Sequence, residues 1–270
     1  MSSTISSSAL SLPIEIYEQI LTSFWNQPQS THDRAIFMKS SLAVSQNWAM
    51  IYMRIFSQDV YIPSGEFALK FLEILRDESP VYHSLNENGA LLNRRCRSIT
   101  FQRDNDGVIV KKPIAPDSCR PTSVLVQGML NTPTPEHPMG LAIYAVTRFL
   151  YSSNKLPELR RISILFANST MSDLFTRNNF IGFPTQVTEL DIQFTYDART
   201  PRDVLRKIRR DASAIGLLPC SIKGVRTLRI AGLSNVAVRE LVSSCAICEV
   251  VHTDRKTYRF GSERNKTSQA

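Results

Sequence analysis

The chain has 270 residues, of which 43% are apolar and 21% charged, a composition that excludes a disordered chain and is sufficient for one large or two modest cores. No apolar stretch reaches the roughly 18 residues of a membrane span, and the five cysteines lack the spacing of a disulfide framework, so a reducing compartment, cytoplasm or nucleus, is expected. The net charge of +8 is concentrated in residues 199–270, which hold 15 Lys and Arg against 6 Asp and Glu.

That basic excess is densest in residues 202–210, where bases alternate with aliphatic residues in the pattern of an amphipathic helix. The simpler interpretation is a solvated helix face, and the alternative is recognition of an acidic surface. No aromatic residues are interleaved with these bases to stack on nucleotides, which argues against a nucleic-acid partner.

Residues 1–11 are rich in serine and contain neither a basic residue nor an apolar segment, so we expect a flexible tail and not a signal or transit peptide. A first helix is predicted from Pro13, which suits a first helical position, with Glu15 favourably placed near its positive end. Apolar residues recur on one stripe of each of three successive segments. The predicted elements are a helix to Trp25, a second helix over residues 33–45, a third over residues 48–56 and a strand at residues 60–62.

Within these elements stand Leu12-Pro13-x-Glu15-Ile16, Ile20-Leu21 and Leu42-x-Val44-Ser45-x-x-Trp48. Residues 12–62 thereby resemble the F-box, the helical module that docks a chain onto the Skp-type adaptor of cullin-RING ubiquitin ligases. Two features depart from the family pattern: Gln46 and Asn47 replace the basic residue that usually precedes the tryptophan, and the connection over residues 26–32 is longer than usual. A connection of this length resembles those of the F-box-like families of mushroom-forming fungi.

The resemblance implies that a set of apolar residues is partly buried against the adaptor, whereas the alternative is a helical cap on a larger domain. The implied adaptor-binding residues are Leu12, Pro13, Ile16, Ile20, Leu21, Val44 and Trp48.

After a helix predicted to begin near Ser64, and further helical turns over residues 81–95, an apolar-x-x-apolar-x-apolar pattern recurs. Its five copies are Cys96–Phe101, Leu159–Ile164, Val187–Ile192, Val225–Ile230 and Cys245–Val250. The pattern is typical of a leucine-rich repeat, in which the last two apolar side chains point inward from a short strand. Helices are predicted between the later strands, over residues 171–178, 201–215 and 234–244.

The repeat is degenerate, because equivalent positions are separated by 28, 38 and 20 residues and the asparagine ladder of the repeat is missing. An ordinary α/β layer is the alternative. Either interpretation predicts a parallel, curved sheet with one helix-covered face and one open face.

The predicted fold is therefore α/β: a three-helix F-box-like bundle over residues 12–62, followed by an irregular leucine-rich-repeat-like solenoid over residues 63–260. Six prolines within residues 113–138 predict a long loop over residues 102–138, which is followed by a helix over residues 139–153. The last ten residues, 261–270, are expected to be a tail.

Motifs for catalysis, cofactors and metals are missing from the sequence: it contains no GxGxxG, Walker, HExxH or GxSxG pattern. The cluster Cys245-x-x-Cys248-x-x-x-His252 offers three ligands without a second pair to close a metal site. We therefore expect no catalytic, cofactor or metal site. The expected function is that of a substrate receptor that binds a Skp-type adaptor, its cullin ligase and an unidentified target protein. The alternatives are a non-enzymatic interaction scaffold that does not bind the adaptor, and a hydrolase with a dispersed site, which is disfavoured because no nucleophile and base can be paired.

Overall fold

The structure, a computed structural model, divides the chain into two compact units, Met1–Ser57 and Gln58–Ala270, called here the helical unit and the sheet unit. It describes residues 13–27, 29–78, 95–104, 138–169, 183–198, 200, 202, 222, 224–233, 235–245, 248–254 and 257–259. No helix in these ranges is both long and apolar enough to cross a bilayer.

The helical unit contains three helices, α1 (Ile14–Asn26), α2 (Thr31–Ser41) and α3 (Gln46–Phe56). Serines determine where the second and third begin: the Ser30 hydroxyl accepts a hydrogen bond from Asp33 N, and the Ser45 hydroxyl accepts one from Trp48 N. The helix predicted over residues 33–45 was placed too far toward the C-terminus. The Ser30 cap starts α2 earlier, and Ser45, predicted as the last residue of that helix, caps α3 instead.

Aromatic rings form the core of the helical unit. Trp25 of α1 meets Tyr52 and Phe56 of α3 edge-on, each with ring centroids 5.8 Å apart, and Phe37 of α2 lies 6.0 Å from Tyr52. Burial raises the pKa of the Tyr52 hydroxyl well above its usual value, against the opposing charge of Arg34. The three helices therefore share one apolar centre.

Arg34 of α2 is a buried cation that caps the C-terminal end of α1. Its Nη1 donates to Trp25 O at 2.8 Å and its Nη2 donates to Gln27 O at 3.0 Å, while its guanidinium carbon lies 4.9 Å from the centroid of the Trp25 ring. A cation at this position satisfies the last carbonyls of a helix and complements its negative end. Arg34 consequently ties the start of α2 to the end of α1.

Replacing Arg34 with methionine is expected to destabilise the helical unit by about 2 kcal/mol, because a buried carbonyl loses a charged donor. Urea unfolding followed by tryptophan fluorescence measures this, since both tryptophans of the chain, Trp25 and Trp48, lie in the helical unit. Lys39→Met, an exposed position on the same helix, is the matched control and should change the midpoint little. Equal midpoints for the two variants would contradict the assigned role of Arg34.

The sheet unit is a mixed α/β structure, as predicted, with a seven-stranded sheet in which the strands follow one another in chain order. All neighbouring strands are parallel except the last two, which are antiparallel. Its elements are β1 (Asp59–Ile62), α4 (Gly65–Leu75), β2 (Ser98–Asp104), α5 (Pro138–Ser153), β3 (Arg161–Ala167), β4 (Glu189–Thr195), β5 (Thr227–Ala231), α6 (Asn235–Ser244), β6 (Val250–Thr253) and β7 (Thr257–Arg259).

Hydrogen bonds and strand pairing determine the boundaries of several elements. Ser64 caps α4, as predicted, by accepting a hydrogen bond from Phe67 N. The strand grouped with the F-box-like helices is β1, which pairs with β2 and belongs to the sheet unit. The loop predicted from residue 102 starts too early, since β2 continues to Asp104 in register with β3. The helices predicted at residues 81–95, 171–178 and 201–215, most of the proline-rich loop and both tails lie outside the described residues or extend beyond them.

The apolar pattern produces the core of the sheet unit. Ile99, Ile162, Leu190 and Leu228 are partners across successive strands, and the next apolar position in each strand is buried with them. The prediction that the last two apolar residues of each copy point inward is confirmed for the first four copies. Helices α4 and α5 pack against each other, and each also contacts the sheet.

The fifth copy of the pattern was placed wrongly. The prediction equated Cys248 with Leu228, whereas the partner of Leu228 in the sheet is Val251. The reason is that α6 continues to Ser244 and Cys245 bridges to Ile222, so the chain cannot enter the strand until Val250. Cys248 instead occupies the half-buried position that precedes the strand.

Two residues after strands have left-handed backbone conformations. Gly232 has φ 70° and donates from its N–H to Asp254 Oδ2 at 2.8 Å. A Cβ built on Gly232 would lie 1.8 Å from Phe194 O of β4. Only glycine therefore fits at this position, where the chain leaves β5 beside β4.

Asn168 is the second such residue, with φ 54° and a buried side chain. Its Oδ1 accepts hydrogen bonds from the Thr200 hydroxyl and from Asp197 N, and its own N–H donates to Thr195 O at 2.8 Å. Asn168 thus links the segment after β3 to the segment after β4.

Candidate interaction surfaces

Helix α1 divides into three sectors at 100° per residue. One sector, with Leu21 and Trp25, is buried in the bundle. The opposite sector is polar, with Glu15, Gln19 and Ser23. Between them runs a third sector that is apolar but exposed, formed by Ile16, Ile20 and Phe24.

A second group of exposed apolar residues, Leu42 and Val44, lies in the connection between α2 and α3; the Val44 side chain is 60% exposed. The position of this connection follows from the ring of Trp48, whose centroid lies 5.8 Å from that of Tyr17 and so places the start of α3 beside the first half of α1. We call Ile16, Ile20, Leu42 and Val44 the apolar surface. Its two parts lie at the same end of the helical unit.

Exposed apolar side chains are concentrated in this unit. Among the described residues ten large apolar side chains are exposed, and eight of them belong to the helical unit. They are Ile14, Ile16, Ile20, Phe24, Ile36, Leu42, Val44 and Met50. Single exposed apolar residues are ordinary, but a grouping of this kind is typical of a surface that binds a partner.

The predicted adaptor-binding residues fall into three groups. Leu12 lies outside the described residues, whereas Pro13, Ile16, Ile20 and Val44 are exposed and available to a partner. Of the other two, Leu21 is only 1% exposed and packs inside the bundle, and Trp48 is half-buried.

The F-box resemblance does not assign Ile14, Phe24 or Leu42 to the adaptor, although all three are exposed. For Phe24 the signal was present, because it continues the Ile16–Ile20 spacing by one more turn.

The sheet unit carries a polar surface at the centre of the sheet. Arg161 Nε lies 3.0 Å from Asp191 Oδ2, and Arg229 Nη1 lies 3.0 Å from Glu189 Oε2. The Ser163 hydroxyl donates to Asp191, whose side chain is only 8% exposed. Partial burial disfavours the charged guanidinium, but the hydrogen bond to Glu189 and the charge of Asp191 outweigh it and raise the pKa of Arg229 above its usual value.

These four charges form a compensated cluster on the sheet face opposite the inward apolar residues, since side chains alternate along a strand.

No family model, curated protein or solved structure matches this chain. Its function therefore has to be inferred from its own residues and contacts.

The cysteine and histidine cluster was the only candidate metal site in the sequence. Cys245 is buried and Cys248 half-buried, and a hydrogen bond between the two thiols raises the pKa of Cys245 and lowers that of Cys248. His252 Nδ1 lies 3.0 Å from Thr257 Oγ1 on the neighbouring strand. Within the described ranges, no three His, Cys, Asp or Glu side chains are grouped to hold a metal ion.

Proposed function

We propose that this chain is the substrate-receptor subunit of a cullin-RING ubiquitin ligase of the Skp-adaptor type. In this proposal the helical unit is an F-box that binds the adaptor, and the sheet unit is a degenerate leucine-rich-repeat domain that binds a target protein. The observation that carries it is the concentration of exposed apolar side chains on the small helical unit.

Exposure of these apolar side chains to water costs free energy. Each apolar side chain left in water forgoes roughly 25 cal/mol per Å² of buried area, which a partner restores on binding. Ile16 and Ile20 are on α1, and Leu42 and Val44 precede α3, so a single partner at this end of the unit can cover both groups. Four of the residues that the F-box resemblance assigns to the adaptor are exposed, which supports the proposal.

The sheet unit supports the second half of the proposal through its polar surface. Arg161, Glu189 and Arg229 have partly exposed charged groups fixed by neighbours on adjacent strands. Charges held in place lose little conformational freedom on binding and discriminate between partners. In this role binding is the task of the chain, and ubiquitin transfer is carried out by the other subunits.

The test is co-purification of the full chain with a Skp-type adaptor, comparing wild type with a Leu12→Ala/Pro13→Ala variant and checking both by circular dichroism. We expect the wild type to bind at micromolar concentration or below, and the folded variant to bind at least about tenfold more weakly, because apolar residues at the centre of an interface dominate its energy. A folded wild type that does not bind the adaptor at micromolar concentration would contradict the proposal and leave the interaction scaffold as the better account.

A further inference from the structure

Strands β2 to β6 all begin with the same hydrogen-bond arrangement. At each start, two successive N–H groups donate to the carbonyl of the residue just before the neighbouring strand: Arg160 N and Arg161 N both donate to Arg97 O, at 2.9 and 3.1 Å. The same fork joins Arg226 N and Thr227 N to Thr188 O, at 2.9 and 3.0 Å. The residues that precede the strands therefore form a continuous row across the sheet, here called the strand-start row. Its members are Gln58, Arg97, Arg160, Thr188, Arg226 and Glu249.

Three members of this row are exposed arginines: Arg97, Arg160 and Arg226. Arg160 Nη2 has a loose ion pair with Glu158 at 3.7 Å, and its side chain is 50% exposed. Within the described part of the chain, no carboxylate pairs with Arg97 or Arg226. A further exposed arginine, Arg95, precedes Arg97 by two residues.

The arrangement is unfavourable for the isolated chain. Arg97 and Arg160 precede neighbouring strands, whose backbones lie about 4.8 Å apart, and like charges side by side on adjacent strands are destabilising. The proximity of Arg97 and Arg160 cannot be recognised from the sequence, because the two residues are far apart in the chain and only the β2–β3 register brings them together. An anionic ligand would remove the repulsion.

We propose that the strand-start row binds an extended acidic segment of a partner protein. This deepens the proposed function, on which it rests in taking that partner to be the ubiquitination target. The planar guanidinium fork matches the two oxygens of a carboxylate. Arg160 and Arg226 are two strands apart, about 10 Å, and an extended peptide repeats its side chains on one side about every 7 Å, within reach of long arginine side chains.

The composition of the surface favours a peptide over a nucleic acid. Glu158 lies beside Arg160, and Glu249 ends the row next to Arg226. A phosphodiester chain, with a charge at every nucleotide, would meet these carboxylates, whereas a peptide can place neutral residues opposite them. The row also contains no aromatic residue on which a base could stack.

The experiment measures fluorescence anisotropy of a labelled peptide in which glutamate alternates with serine, titrated with the full chain at low and at physiological salt. The control peptide has glutamine in place of glutamate. We expect binding of the glutamate peptide alone, weakening as salt rises. Arg97→Ala and Arg226→Ala should each weaken binding on the order of tenfold, as expected for loss of a charge-assisted pair. Arg239→Ala, an exposed arginine on α6, is the matched control and should bind as wild type.

Stability separates a binding role from a structural one. Because Arg97 is exposed and precedes the strand next to that of Arg160, a like charge, Arg97→Ala should leave the unfolding temperature unchanged or raise it slightly while binding is lost. Equal binding of both peptides, unchanged binding by the two variants, or tighter binding of a labelled oligothymidine than of the glutamate peptide would each overturn the inference. Adaptor binding is measured separately, so a chain that binds the peptide but not the adaptor would retain this surface and lose the proposed ligase role.

Discussion

A chain carrying Ile16→Asp and Ile20→Asp is expected to bind a Skp-type adaptor about a hundredfold more weakly than wild type, or worse. Truncating a central apolar residue of an interface commonly costs 2 kcal/mol or more, and every 1.4 kcal/mol is about tenfold in affinity. A carboxylate adds the cost of moving a charge out of water. Ile16 and Ile20 are on the exposed apolar sector of α1, so the partner meets both substitutions together.

The same exposure predicts that the fold tolerates this change. Ile16 and Ile20 are 37% and 46% exposed, and substitutions at the surface generally alter stability by only about 0.5 kcal/mol. Circular dichroism and the tryptophan-monitored unfolding midpoint should therefore remain close to wild type.

The matched control is Gln19→Asp with Ser23→Asp, which adds the same charge at the same spacing on the polar sector of α1. We expect the control to co-purify with the adaptor. Loss of binding by both variants would indicate a general effect of charge, and binding by both would exclude the apolar surface as the docking site.

Gly232→Ala is expected to destabilise the sheet unit by about 3 kcal/mol or more. A left-handed backbone costs a residue with a Cβ about 1 to 2 kcal/mol, and overpacking adds about 1 to 3 kcal/mol. Here the clash is with the backbone, since the new Cβ would lie 1.8 Å from Phe194 O, and a backbone oxygen cannot rotate aside. Strands β4 and β5 would have to separate locally.

Urea unfolding followed by far-ultraviolet circular dichroism measures the effect. Gly65→Ala is the control, because Gly65 is a half-buried residue in the first turn of α4, where alanine is tolerated or favourable. The Gly232 variant should unfold at clearly lower urea, and the control at the wild-type concentration or above. Similar midpoints for both would show that the sheet accommodates a Cβ at position 232.

The periodic parts of the fold were predictable from the sequence. The same apolar pattern places a buried residue in each of four strands, at Ile99, Ile162, Leu190 and Leu228, and its recurrence was sufficient to predict parallel strands and their inward residues. Helix caps were harder to predict, because a serine such as Ser45 can end one helix or begin the next. Only the hydrogen bond from Trp48 N to Ser45 decides between the two.

The surfaces were predictable only in part. Spacing showed that α1 has a wide apolar stripe, but it could not show that the bundle covers Leu21 and leaves Ile20 exposed, because that depends on the packing of all three helices. The neighbourhood of Arg97 and Arg160 was not predictable for the same reason: it arises from strand register across a long intervening segment. Residues that act together through tertiary contacts leave no local pattern.

The order of the strands has a consequence for how such a chain can change over generations. Each strand pairs only with those next to it in the sequence, although the segments that separate the inward positions Leu190, Leu228 and Val251 differ in length. Lengthening a connecting segment twofold costs only about 0.6 kcal/mol in closure entropy. Insertions between strands can therefore accumulate while the pairing is kept, so that descendants of one ancestor can acquire new partners on an inherited framework.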